Sequence, residues 1–200
     1  MDNREEYEAR LSAACREAGL PEAFASPEAA GKLFVVTERL VSCNRQFNLT
    51  AITEPEEILT KHVVDSLFAA AAIGTFAPGG GKLLDVGAGG GFPSLPVAAA
   101  LPELSVLAMD ATAKKCRYIE ETAAAAGMAN VAVLNARAEE ASSSLGASFD
   151  FVTARAVARL NVLAELCAPL CRVGGIFVAM KGPGGDEEAA EAARALRTLG

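Results

Sequence analysis

The chain has 200 residues, 52% of them hydrophobic and 22% charged, which is enough to bury one sizeable core and excludes a disordered chain. A net charge of −7 argues against indiscriminate affinity for nucleic acid, though not against a local basic face. Five cysteines without a C-x-x-C pair and a single histidine exclude a disulfide framework and disfavour zinc, so no metal is expected.

The charged start, Asp2-Asn3-Arg4-Glu5-Glu6, lacks the apolar run of a secretory leader. No run of eighteen large apolar residues free of charges and breakers suggests a membrane span. A cytoplasmic monomer with free thiols and no membrane partner is expected.

In chain order, Tyr7, Leu11 and Ala14 recur at helical spacing within residues 1–20, and Gly19 is a stop. A second helix starts at Ser26-Pro27-Glu28 with an N-cap, a first-turn proline and an acid suited to the helix dipole. Its apolar stripe is Leu33, Val36, Leu40 and Cys43, and Asn44 to Thr53 reads as an irregular connector. A third helix runs from about Glu54 to about Ala72. Residues 1–78 thus read as a helical extension packed on a core of residues 79–200.

From Lys82 the pattern changes to short β-like runs alternating with helices. Strands are expected at Leu83–Val86, Val106–Asp110, Val131–Leu134, Phe149–Thr153 and Ile176–Met180. Helices are expected at Pro93–Leu101, Ala113–Ala126, Val157–Leu170, where Cys167 and Cys171 would share a face, and Asp186–Leu199. Alternation implies parallel pairing and right-handed crossovers, so the fold class is α/β, a doubly wound, mostly parallel, Rossmann-like sheet. Ligands of such sheets bind beyond the carboxyl ends of the strands. Those ends carry Asp85 and Gly87, then Asp110, then Asn135 to Glu139, then Arg155, then Lys181.

The strongest local signal is Asp85-Val86-Gly87-Ala88-Gly89-Gly90-Gly91-Phe92-Pro93. Its D-x-G-x-G-x-G pattern departs from the dinucleotide G-x-G-x-x-G, which would need glycine where Phe92 stands. Dinucleotides set a pyrophosphate on the next helix N-terminus. S-adenosylmethionine has no phosphate, and an acid at the loop start, Asp85, suits its ammonium group directly or through water. Asp110, some twenty residues on, can accept from both ribose hydroxyls. A structural turn with Asp110 as a cap is the bland alternative.

Asn48-Leu49-Thr50, His62-Val63-Val64-Asp65-Ser66, the Asp85–Pro93 loop, Arg155-Ala156 and Lys181-Gly182 follow one another in an order that resembles the 16S ribosomal RNA guanine-N7 methyltransferases, the glucose-inhibited division protein B family. The resemblance covers about residues 30–182. It implies a class I S-adenosylmethionine-dependent methyltransferase acting on N7 of one guanine of 16S rRNA, in the 530-loop region of the small subunit near the decoding centre. It also implies that Gly87, Gly89 and Phe92 line the cofactor cleft, that Ala138 and Glu139 flank the adenine, that Asp110 holds the ribose, and that Arg155 stands at the cofactor–substrate junction. Where the family usually has Trp, Gly and Arg, this chain has Cys43, Ser94 and Lys115. The family's core carries two further strands, so residues 79–200 are expected to lack the last two.

N7 bears a lone pair and no proton at neutral pH, so it can attack a sulfonium methyl without a general base. The task is alignment, and no classical catalytic residue is assigned; Arg155 and Lys181 are the candidates. Substrate contacts are expected from Asn48, His62, Asp65, Lys114 and Lys181, with the 30S subunit or its RNA as partner. His62 and Asp65 either wall the cofactor or form a pair that locks the helix. Asn48 and Thr50 either shape the connector or touch substrate. A class I methyltransferase for a small molecule or protein, and a non-catalytic module binding adenosyl ligands or RNA, remain as alternatives.

Overall fold

In the computed structural model, the described residues are 3–77, 79–155 and 157–199. Five strands, β1 (Gly81–Val86), β2 (Leu104–Asp110), β3 (Val131–Asn135), β4 (Phe149–Arg155) and β5 (Cys171–Met180), form one sheet in the order β3-β2-β1-β4-β5. All four pairings are parallel. The order reverses beside β1, and the crevice at such a switch point is where open α/β sheets bind ligands.

Strand periodicity assigns neighbouring residues to opposite faces. Leu83, Val106 and Phe151 join one core with α1 (Arg4–Glu17), α2 (Pro27–Phe47), α5 (Ser94–Ala100) and α6 (Ala113–Ala125). Leu84, Met109 and Val152 join a second core with α7 (Ala138–Leu145) and α8 (Leu160–Cys167). The N-terminal helices therefore share the first core with the sheet: Tyr7, Leu33 and Leu67 are fully buried there beside Leu83. Each such leucine contributes roughly 1.5–3 kcal/mol.

Four boundaries differ from the sequence reading. Helix α2 runs on through Asn44 to Phe47, and Asn48 ends it in the left-handed region at φ 48°, so the connector starts at Asn48. Helix α7 was not expected; only Ala141 of it is fully buried, with Ala138 and Leu145 packed against the same core. Its serines satisfy themselves locally, each hydroxyl donating to the carbonyl three residues back. Helix α8 starts at Leu160, where the Glu188 carboxylate of α9 (Gly185–Leu199) accepts from the Leu160 amide, a cap supplied from 28 residues away. Strand β5 starts at Cys171, so Cys167 and Cys171 do not share a helix face.

Pro55 to Phe76 form one unbroken helical run of 22 residues, long and apolar enough to cross a membrane by composition. Its apolar side is spent in the first core, where Ile58, Leu59, Val63, Leu67 and Ile73 are buried. The run has an α-turn start, α3 (Pro55–Ile58), a π-helical stretch (Leu59–Val64) and α4 (Asp65–Phe76). π turns are rare and concentrate at functional sites.

Candidate active site

The loop after β1 is held from below. Asp85 is fully buried and accepts from the Thr153 hydroxyl at 3.0 Å and the Ser94 amide at 3.1 Å. It thus ties β1 to β4 and to the first residue of α5. Burial pushes its carboxyl up to about 6, against the lowering effect of those bonds and of Arg155. With no exposed surface and two protein donors, the Asp85 carboxylate shapes the loop.

The loop's amides, all but that of Gly90, are already committed. Gly87 and Ala88 donate to the Met109 carbonyl at 2.8 and 2.9 Å, and Gly91 and Phe92 to the Ala88 carbonyl at 2.8 and 3.2 Å. Gly89 donates to Asp110 Oδ2 at 3.0 Å. At the start of α5, Ser94 donates to Asp85 and Leu95 to Gly91. A pyrophosphate seat needs several free amides at this point. The loop fits a phosphate-free ligand, with Gly90 presenting bare backbone to the cleft, where an added Cβ would take up the space beside Leu40, Phe92 and Leu49.

Asp110 ends β2 with its carboxylate nearly buried, accepting from Gly89 and, at 2.8 Å, from the Thr112 amide. Two of a carboxylate's roughly four acceptor positions are thereby used. The remaining capacity fits a pair of ribose hydroxyls.

The opposite wall comes from the π stretch. His62 stacks on Phe92, ring centroids 4.8 Å apart and planes 22° off parallel. Arg155, at the tip of β4, donates through Nη2 to the Lys61 carbonyl at 2.6 Å and to His62 Nδ1 at 3.1 Å, and its Nη1 lies 3.3 Å from Asp65. A guanidinium cannot accept, so Nδ1 must, and the imidazole is the neutral Nε2–H tautomer. Burial, and after it the Arg155 charge, hold His62 well below the usual range, at about 4. Nε2 donates in turn to the Thr50 hydroxyl at 2.7 Å. Asp65 pairs with Arg155, not with His62. Leu40, Leu49, Thr50, His62, Gly87–Gly90, Phe92, Lys115 and Arg155 close around a cleft of about 260 Å³.

A family model described as "GidB: rRNA small subunit methyltransferase G" matches residues 31–200. The chain belongs to this family. Proteins named ribosomal RNA small subunit methyltransferase G are similar to it: 41% identical over 165 residues in Leuconostoc citreum, 43% over 166 in Ligilactobacillus salivarius and 44% over 165 in Bacillus cereus. Each alignment covers 82% of this chain and 68–69% of the relative. Among solved structures, a protein from Corynebacterium glutamicum (TM-score 0.55, 20% identity, 82% of this chain and 80% of that one) shares the fold. So does an S-adenosylmethionine-dependent methyltransferase from Agrobacterium tumefaciens (TM-score 0.52, 18% identity, 72% and 50%).

Within this GidB-family chain the structure gathers Gly87, Gly89, Phe92, His62 and Arg155 around one cleft, with Asp110 bonded to its floor at Gly89. Asp65 joins through Arg155. Ala138 and Glu139 stand at the start of α7, just beyond β3 and next along the edge from Asp110. Asn48 and Arg45 line a second hollow, which shares Thr50 with the cleft, and Lys114 lines another beside Arg117 and Cys43. Lys181 stands apart from the cleft: it donates to the Ala158 carbonyl at 2.8 Å and pairs with Glu188 at 2.7 Å, fastening β5 to the β4–α8 connection and to α9. The sequence reading missed Lys115 as a lining residue and the π stretch that turns His62 and the Lys61 carbonyl toward Arg155. It assigned a substrate contact to Lys114 and gave Lys115 only as one of the basic residues near the sheet's carboxyl edge; no sequence periodicity signals a π turn. Asn44, which both donates to and accepts from the Thr50 backbone at 2.9 Å, fixes the connector.

Proposed function

We propose that this protein transfers a methyl group from S-adenosylmethionine to N7 of a guanine in 16S rRNA, acting as a cytoplasmic monomer on the small subunit or its RNA. The observation that carries the reading is the loop whose amides, all but that of Gly90, are spent on protein acceptors, facing a neutral histidine stacked on Phe92, in a chain of the GidB family.

When bound, the cofactor supplies an electrophilic methyl on a sulfonium. Asp110 orients it by its ribose, and Gly87, Gly89 and Gly90 let it lie against the main chain. Phe92 and His62 form a flat apolar wall that excludes water. N7 carries no proton, so none of these groups has one to remove; their work is to hold donor and acceptor in line. A neutral His62 would add no repulsion to positive charge developing on the base. Arg155 acts at one remove, as a positioning residue that fixes the tautomer and place of His62. The base must arrive unstacked, as in a loop or splayed strand.

The test is transfer from methyl-labelled cofactor to 30S particles and to naked 16S RNA, followed by chemical cleavage at N7-methylguanine. Label at a single guanine is expected. Cofactor binding without label in either RNA substrate would refute the reading.

A further inference from the structure

The hydrogen bonds across the cleft run in one direction. Arg155 can only donate, so His62 accepts at Nδ1 and donates at Nε2. Thr50 Oγ1 receives that bond and a second one, from the Ile52 amide at 3.1 Å. A hydroxyl has two acceptor positions and one hydrogen. Both acceptor positions are filled, so Thr50 can meet a further ligand only as a donor. Among the described residues no acceptor takes that hydrogen, and Thr50 is half-buried in the cleft wall. The other polar side chain lining the cleft with no protein partner among the described residues is the Lys115 ammonium, also purely a donor.

A wall that only donates selects an edge that only accepts. Guanine presents N7 and O6 side by side, both acceptors, whereas adenine presents N7 beside an amino donor. We propose that Thr50 determines base specificity: its hydroxyl, locked as a donor by the Arg155–His62 relay, reads O6 of the guanine whose neighbouring N7 takes the methyl group. This rests on the proposed function. It makes Arg155 and His62 positioning residues for recognition as well as for the cleft wall.

The guanine labelled by the wild-type enzyme is first mapped. 30S particles are then rebuilt around 16S RNA carrying 2-aminopurine at that position, which keeps N7 and lacks O6. Wild-type kcat/KM is expected to fall about tenfold to a hundredfold on the analogue, the range for an unpaired buried donor. Thr50→Val should lose a similar factor on guanine and show little further loss on the analogue. Thr50→Ser, which restores the hydroxyl, should recover the preference. Wild-type rates that are equal on the two bases overturn the proposal, as does a Thr50→Val enzyme that binds cofactor normally and keeps the full preference for guanine. Should Thr50→Val not fold, the wild-type ratio decides alone. A wild-type enzyme that labels no RNA refutes the proposed function instead and takes this inference with it.

Discussion

Gly91→Ala and Gly90→Ala add one methyl group at adjacent positions of the same loop and should have opposite consequences. Gly91 sits at φ +87°, and a Cβ there would lie 2.5 Å from Leu95 Cδ1 and 2.9 Å from its Cγ. Leu95 is fully buried, so it cannot swing into solvent to make room. The left-handed backbone costs an L residue about 1–2 kcal/mol, and overpacking a filled core adds about 1–3 kcal/mol. A loss of about 2–5 kcal/mol is expected, which lowers Tm by roughly 4–20 °C in a domain of this size. Gly90 lies outside the left-handed region, and its Cβ would come no closer than 3.6 Å to Leu40 Cδ1. Alanine there should leave stability unchanged or raise it by about 0.4–1 kcal/mol through the unfolded chain. Its methyl enters the cleft, however, so cofactor affinity should fall. Calorimetric melting of both variants, with titration of S-adenosylmethionine into each, separates the two effects. A Gly91→Ala protein that melts with the wild type, or a Gly90→Ala protein that is the less stable of the two, would refute the loop geometry.

Asp110→Ala removes the acceptor of two backbone amides and of the proposed ribose contact. Affinity for S-adenosylmethionine should drop by about tenfold or more, the worth of a charge-assisted bond; wild-type binding in calorimetry would contradict that. Folded Asp85 keeps its proton to about 6, against 3.8 in the unfolded chain. The folded state therefore holds more protons between those values, and Asp85 lowers stability as pH rises through that window. Asp85→Asn should abolish this share of the decline, so the difference between the two proteins in urea melts across the window isolates it; parallel curves would be the contrary result. The chain's single histidine gives one imidazole signal in NMR, expected to titrate at about 4 as the Nε2–H tautomer. Because this folded value lies below the ordinary 6.5, the stabilisation from neutral His62 is complete above 6.5 and lost as pH falls through the folded value. Arg155→Met should raise the midpoint; a wild-type midpoint near 6.5 would contradict the buried Arg155–His62 contact.

The sheet was legible because its signals are local and redundant. Each of the five strands is a short apolar run beside a turn or a strand-end polar residue, and the Gly87–Gly91 loop declares its backbone by composition. Helix α7 was not legible, because its stripe of Ala138, Ala141 and Leu145 is short and mostly alanine. The start of α8 was misplaced because its cap, Glu188, comes from another helix. The same division runs through the site. Phe92 follows the loop directly and Asp110 ends the next strand, so spacing could put both beside it. The Arg155–His62–Thr50 relay joins residues 93 and 12 positions apart through a π turn, and nothing in a one-dimensional pattern measures such a meeting.

Net charge misleads for a related reason. Two acids of α9 are neutralised where they stand: Glu188 by Lys181, and Glu191 by Arg159. Glu57 is paired with Lys61, and Glu121 with Arg39. What a polyanion would meet at the cleft is Lys115 at the opening of α6, beside an Arg155 whose charge is offset in part by Asp65, with neutral His62 between Arg155 and Phe92. A field is set by charges left unpaired within about one Debye length, roughly 8–10 Å at cellular salt, so local balance and not the sum governs approach of RNA. A chain of −7 can therefore receive a nucleic acid at one place while the rest of its surface repels it. That combination favours a structured target over indiscriminate binding, as an enzyme modifying one base among many requires.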